Sequence, residues 1–139
     1  MVTKKFNLGD CLVYTKTGKI LLGKEPLVYH CNHYNLALQQ TLITPSYLNM
    51  KPVLVEAAIE AAYSCISNLK TELGLSSPKE VFDLAKEVFR FLGFGIIDFS
   101  QANEEGGEVV VPVSHYGLAL IKANKNQTFS EPQSFFDLG

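Results

Sequence analysis

Apolar positions recur along the chain with three different periods, and each period predicts a different element. Between Lys51 and Leu73 the residues Leu54, Ala58, Ala61, Cys65, Leu69 and Leu73 follow steps of three or four. A second row at Val55, Ile59, Ala62 and Ile66 widens that stripe, so one long amphipathic helix is predicted. Pro52 falls where a first helical turn tolerates it, and Gly74 supplies the stop. Ser77-Pro-Lys-Glu80 announces a second helix: a serine cap, a proline at the first position and a glutamate three residues after the cap. Its inward face is Val81, Leu84, Ala85, Val88 and Leu92, and Gly93 closes it.

Strand signals flank this helical pair. Cys11 to Tyr14 and Lys19 to Leu22 are short apolar runs around a polar, Gly18-containing turn, and they predict a β-hairpin. Phe94 to Phe99 and Glu108 to Val113 predict a second antiparallel hairpin, joined across Glu104-Glu-Gly-Gly107. Pro112 lacks a ladder donor, which places its strand at an edge or puts a bulge there. Between the hairpins, Tyr34, Leu38 and Leu42 recur every fourth residue, predicting a helix that ends at Thr44-Pro45. The pattern dissolves from Lys122 to Pro132, and Phe135-Phe136 is apolar again. The predicted fold class is α+β, a long helical pair packed on an antiparallel β-sheet. Without a repeat, linker or low-complexity tract, residues 1–139 are expected to form a single domain.

Composition narrows the function classes. The 139 residues are 47% hydrophobic and 19% charged with a formal net charge of -2, which excludes disorder for most of the chain. A chain of this length buries about 68–70% of its unfolded surface, enough for an ordinary core. No apolar run reaches the roughly 18 residues of a membrane span, because Glu56 and Glu60 interrupt the most apolar helix. Lys4 and Lys5 precede no apolar core segment, so no signal peptide is expected. Three scattered cysteines, Cys11, Cys31 and Cys65, fit a reducing cytoplasm better than a disulfide framework. The basic residues include one arginine, Arg90, and form no cluster, which argues against nucleic acid as a partner.

The stretch from Val81 through Gly93-Phe-Gly95 to Asp98, then Val109 to Tyr116, resembles the 4-vinyl reductase domain. That family, also called the hydrocarbon-binding domain, is related in fold to small subunits of the TRAPP tethering complex. In its members a helix ends in a Gly-x-Gly element followed by two strands, the second finishing at a serine where the chain turns. Gly93, Gly95 and Ser114 occupy those positions, and the match covers about half the chain. The resemblance implies a cavity between layers for an apolar ligand. Family members continue past the position of Phe135-Phe136 with a Gly-containing helix and a Cys-bearing strand, whereas this sequence ends at Gly139. The expectation is a domain lacking that C-terminal layer, or receiving it from a partner subunit.

Polar residues that could carry chemistry concentrate in His30-Cys-Asn-His-Tyr-Asn35. If this segment is helical, His30 and His33 lie roughly 60° apart, whereas Cys31 and His33 are about 200° apart and cannot share one metal. Two arrangements follow: a His30/His33 pair binding zinc, iron or haem with His115 or Cys65, or an inward row of Cys31, Tyr34 and Asn35 lining a cavity. The plainer reading makes the histidines exposed hydrogen-bonding residues and Cys31 a small buried hydrophobe. A thiol nucleophile, Cys31 at a helix N-terminus with His115 as base, matches no thiol-hydrolase signature. For His115 itself the plainer role is a strand-end residue bonding the backbone near Ser114. Glu56 and Glu60 sit off the apolar rows and read as a solvated face. Gly93-Phe-Gly95 precedes a strand, not a helix, and so is no phosphate cradle. The alanines Ala57, Ala58, Ala61 and Ala62 permit close helix approach, within the monomer or across a two-fold axis.

These features converge on a cytoplasmic small-molecule-binding or sensor module, homodimeric and without assigned catalysis. Its ligand would be hydrocarbon-like or tetrapyrrole-like, held by Cys31, Tyr34, Asn35, Tyr63 and His115 in an apolar cavity. The alternatives are a metal- or haem-binding protein using His30, Cys31 or His33, and a structural subunit of a hetero-oligomer.

Overall fold

The structure, a computed structural model, describes residues 6–124. A short 3-10 turn, Leu8–Cys11, leads into three brief strands, β1 (Leu12–Tyr14), β2 (Ile20–Leu22) and β3 (Glu25–Leu27). Three helices follow, α1 (Asn32–Ile43), α2 (Lys51–Glu72) and α3 (Pro78–Phe91). The strands β4 (Gly95–Asn103) and β5 (Gly106–Ser114) and helix α4 (His115–Ala123) complete the order. The chain is α+β, with its strands divided between two antiparallel sheets, β1-β2-β3 and β4-β5, where one sheet was expected. Strand β3 was not anticipated because it is three residues long and contains Pro26. As an edge strand it tolerates a residue without a backbone donor.

The two long helices have the ends their sequence predicts. Ser77 Oγ accepts from the Glu80 amide at 3.3 Å while the Glu80 carboxylate accepts from the Ser77 amide at 3.2 Å, a reciprocal capping box. Helix α2 stops at Gly74, with φ +64°, where the Leu75 amide bonds back to the Lys70 carbonyl and the Gly74 amide to Thr71. Helix α3 repeats the device at Gly93, with φ +81°, through Phe94 to Phe89 and Gly93 to Arg90. Both are Schellman endings, which a glycine adopts without the Cβ penalty of other residues. The second brings an apolar contact with it: the Phe89 and Phe94 ring centroids lie 5.6 Å apart.

The core sits at one end of the helical pair. Leu22 from β2, Leu69 from α2 and Leu84 from α3 are fully buried together, enclosed by Leu8, Cys11, Cys65, Leu75 and Val88. The β4-β5 hairpin packs on α3, partly through Phe99 on Phe82 at 5.2 Å between ring centroids. Its register shifts twice. Val111 and Pro112 together face Ile97, so Pro112 lies in a bulge as expected, and Phe99 and Ser100 face Val109. At this second bulge the Asp98 carboxylate accepts from the Ser100 amide and hydroxyl, and Lys86 stands 3.6 Å away. Those donors and the lysine hold the Asp98 carboxyl below its ordinary pKa.

Helix α4 is the main element absent from the sequence expectation. Tyr116-Gly-Leu-Ala-Leu-Ile121 is apolar on every side and gives no amphipathic period. Its start is nevertheless capped, because Ser114 Oγ accepts from the Gly117 amide at 2.9 Å. His115 is therefore the first residue of a helix, not the end of a strand. Helix α4 packs on α1, with Leu36, Tyr116 and Ala119 buried. No helix among the described residues is long and apolar enough to cross a membrane. The apolar Phe135-Phe136 pair lies outside the described residues.

Candidate functional site: an apolar cleft between the helical pair and the hairpin

Beyond Leu69 the two long helices stop filling the space between them. Helix α2 turns Ala58, Ala61, Ala62, Cys65 and Ile66 toward one side, at the spacing of a single helix face. Helix α3 answers with Ala85, Val88, Phe89 and Leu92, spaced the same way. The hairpin contributes Ile97, Phe99 and Val109, Phe94 stands at the junction, and β3 supplies Glu25, Pro26 and Leu27. Together they wall a cleft of about 500 Å³. Small-molecule pockets usually measure about 300–1,000 Å³ and are mainly apolar with few polar groups. Ala58, Ala61 and Ala62 line this cleft on its α2 side. Their short side chains leave the volume open.

The glycines of the Gly-x-Gly element shape this wall. Gly93 ends α3 so that Phe94 doubles back over Phe89. Gly95, at φ +133°, passes so close to β5 that a Cβ would stand 1.9 Å from the Val113 carbonyl oxygen. Only glycine permits that crossing. Ser114 pairs with Gly95 in the ladder, and the His115 amide donates to the Phe94 carbonyl at 2.7 Å. Gly93, Gly95 and Ser114 thus position one end of the cleft.

One polar cluster reaches it. The Glu25 carboxylate accepts hydrogen bonds through Oε1 from Ser64 Oγ, at 2.6 Å, and from Asn68 Nδ2. These bonds tie β3 to α2 beside Cys65. Burial pushes the Cys65 thiol above its ordinary pKa, and the Glu25 charge pushes it further, so it stays protonated near neutrality. Cys11 behaves alike, through burial first and then Glu72 and Asp10. Neither is an activated nucleophile.

The polar residues singled out from sequence lie elsewhere. His30 and Asn35 line a smaller hollow of about 230 Å³ that shares Leu27, Leu92 and Phe94 with the cleft. Cys31 is exposed at the N-cap of α1 and makes no side-chain capping bond. Because α1 begins at Asn32, His30 precedes the helix and does not share a face with His33, which is exposed. Tyr34 is about half exposed, 51%, and its ring meets that of His30 at a tilt of 55° with ring centroids 4.2 Å apart. Tyr63 points away from the cleft at 76% exposure. His115 is half-buried, edge-on to Tyr116, and its Nε2 has no hydrogen-bond partner among the described residues. No three histidine, cysteine or acidic side chains among the described residues come together as metal ligands.

Sequence reasoning missed Glu25, Ser64 and Asn68. Ser64 and Asn68 stand one turn apart beside the buried row of Cys65 and Leu69, a polar pair at the edge of an apolar face. That spacing signals a buried polar partner, but Glu25 is 39 and 43 residues distant along the chain. No protein-family model matches the chain, and comparison with curated proteins and with solved structures found no match.

Proposed function

We propose that the protein is a small-molecule-binding module whose hydrocarbon-like or tetrapyrrole-like ligand occupies the cleft between α2, α3 and the β4-β5 hairpin. The observation that carries this reading is an unfilled apolar volume of about 500 Å³ beside a tightly filled core. Cavity space lined by alanine and phenylalanine forgoes dispersion contacts that a ligand would restore. Its lining of apolar side chains with one hydrogen-bonded carboxylate has the composition of a ligand pocket. The resemblance to the hydrocarbon-binding family supports the same reading, because Gly93, Gly95 and Ser114 serve the cleft wall. Binding, sensing or carriage in the cytoplasm is the role assigned, with no reaction. A homodimer belongs to the same proposal, since Ile96, Val110, Val113, Leu118 and Ile121 present exposed aliphatic surface for a second copy to cover.

A neutral fluorescent probe tests the cleft. N-phenyl-1-naphthylamine should bind wild-type protein saturably, one per chain. Ala62→Trp, which fills the cleft and introduces the chain's first tryptophan, should abolish that binding while leaving circular dichroism unchanged. Undiminished binding by a folded Ala62→Trp variant would place the probe elsewhere and refute the reading.

A further inference from the structure

We propose that the natural ligand is an amphipathic amine, with an apolar body in the cleft and a cationic, hydrogen-bond-donating head on Glu25. This deepens the cleft reading and rests on it. Glu25 is the only ionisable carboxyl group among the residues that line the cleft, and it is half-buried. Ser64 and Asn68 both donate to Oε1, which fixes the orientation of the carboxylate. Oε2 receives no hydrogen bond from the described residues, and no lysine, arginine or histidine among them pairs with Glu25. A partly buried carboxylate with two neutral donors and no cation among the described residues leaves its charge uncompensated by them on an apolar wall.

The chemistry of such a group selects its ligand. A carboxylate only accepts hydrogen bonds, so the ligand head must donate. A charged donor forms the shorter and stronger bond, and in a partly desolvated site its advantage over a hydroxyl grows. A ligand carboxylate would meet like charge at Glu25, the one charged side chain among the described residues that line the cleft, which discriminates against fatty acids. The apolar tail fits the remaining lining, where Ala58, Ala61, Ala62 and Phe99 offer no polar side chain. Fixing Oε1 from α2 also means that the acceptor is oriented before the ligand arrives, which lowers the ordering cost of binding.

Displacement of N-phenyl-1-naphthylamine by decylamine, decanol and decanoate, each below its aggregation threshold, tests this. Decylamine should displace the probe at a concentration about tenfold lower than decanoate, with decanol between them, a ratio of the size one charge-assisted hydrogen bond supplies. Glu25→Gln should remove most of that preference while retaining decanol binding, which separates a bond to Glu25 from general attraction of amines to an acidic protein. Should Glu25→Gln fail to fold, the wild-type ranking stands as its own test. Equal displacement by all three, or tighter decanoate, overturns the amine assignment and leaves the cleft reading intact. Retention of the full amine preference by folded Glu25→Gln overturns it too. Probe binding that none of the three displaces, or no probe binding at all, overturns both.

Discussion

Helix α2 has two ends that differ in what they meet. Over its last turns Leu69 is buried against Leu22, Leu84 and Leu75, and the space is filled, with Cys65 at the boundary. One to three turns earlier the same face carries Ala58, Ala61 and Ala62, the partner helix carries Ala85, and a volume of about 500 Å³ stays open. Both stretches are apolar at helical spacing, so hydrophobicity does not distinguish them. Side-chain length does. Leucine against leucine closes the gap between α2 and α3, whereas alanine against alanine leaves it, because the hairpin holds Ile97 and Phe99 on the far side and does not collapse inward.

Deleting core atoms should separate the two ends most strongly. Leu69→Ala should lower unfolding free energy by about 2–5 kcal/mol in urea denaturation, since the filled end collapses poorly around a void. Val109→Ala, at a cleft-lining position already 45% exposed, should cost about 0.5 kcal/mol or less. Similar losses at the two sites would mean that the cleft wall is packed like the core.

Adding atoms inverts the experiment. Leu84→Phe should cost about 1–3 kcal/mol by overpacking, while Ala62→Leu enters open space and should change stability by about 0.5 kcal/mol or less. Equal penalties measured by thermal denaturation would contradict an open cleft.

The filled end depends on how α2 stops and α3 begins, and that was legible. Ser77→Ala should cost about 1 kcal/mol through loss of the cap to Glu80, measurable in the same denaturation series. Proline, serine and glutamate at fixed offsets, and glycine just past Leu73 and Leu92, are local signals whose physics operates within one helical turn. They located both ends of α2 and α3. The Gly95 crossing and the Pro112 bulge were legible in kind, since each residue type has few backbone roles in a strand.

What was not legible depended on distance or lacked a period. Helix α4 carries apolar side chains all round, so no face announces it. Strand β3 is too short to show alternation. The alanine row of α2 reads equally as a close-packing seam or an open wall until the spacing of α3 and the hairpin is known. The His30 to Asn35 segment drew attention through its residue types, yet its start lies outside the helix, and the cleft is served by Glu25 instead.

The thiols report the smallest difference between the regions. Cys31 is exposed and should be alkylated by iodoacetamide well before Cys65 or Cys11, whose thiols are buried and held protonated. A negative charge beside Cys65 disfavours its thiolate, so Glu25→Gln should shift the pH profile of Cys65 alkylation downward. Burial, the larger cause, remains, and the midpoint should stay above the ordinary thiol value. Mass spectrometry of labelled peptides reads both comparisons.

Methyl NMR with a neutral ligand tests the contrast between the two ends most directly. On titration with N-phenyl-1-naphthylamine, the methyl signals of Ala58, Ala61, Ala62, Ile66 and Ile97 should move together and saturate. Those of Leu22, Leu69 and Leu84 should stay in place. Saturable shifts confined to the hollow beside His30 and Asn35, or no saturable shift at the alanines, would contradict the assignment of the cleft as the binding site.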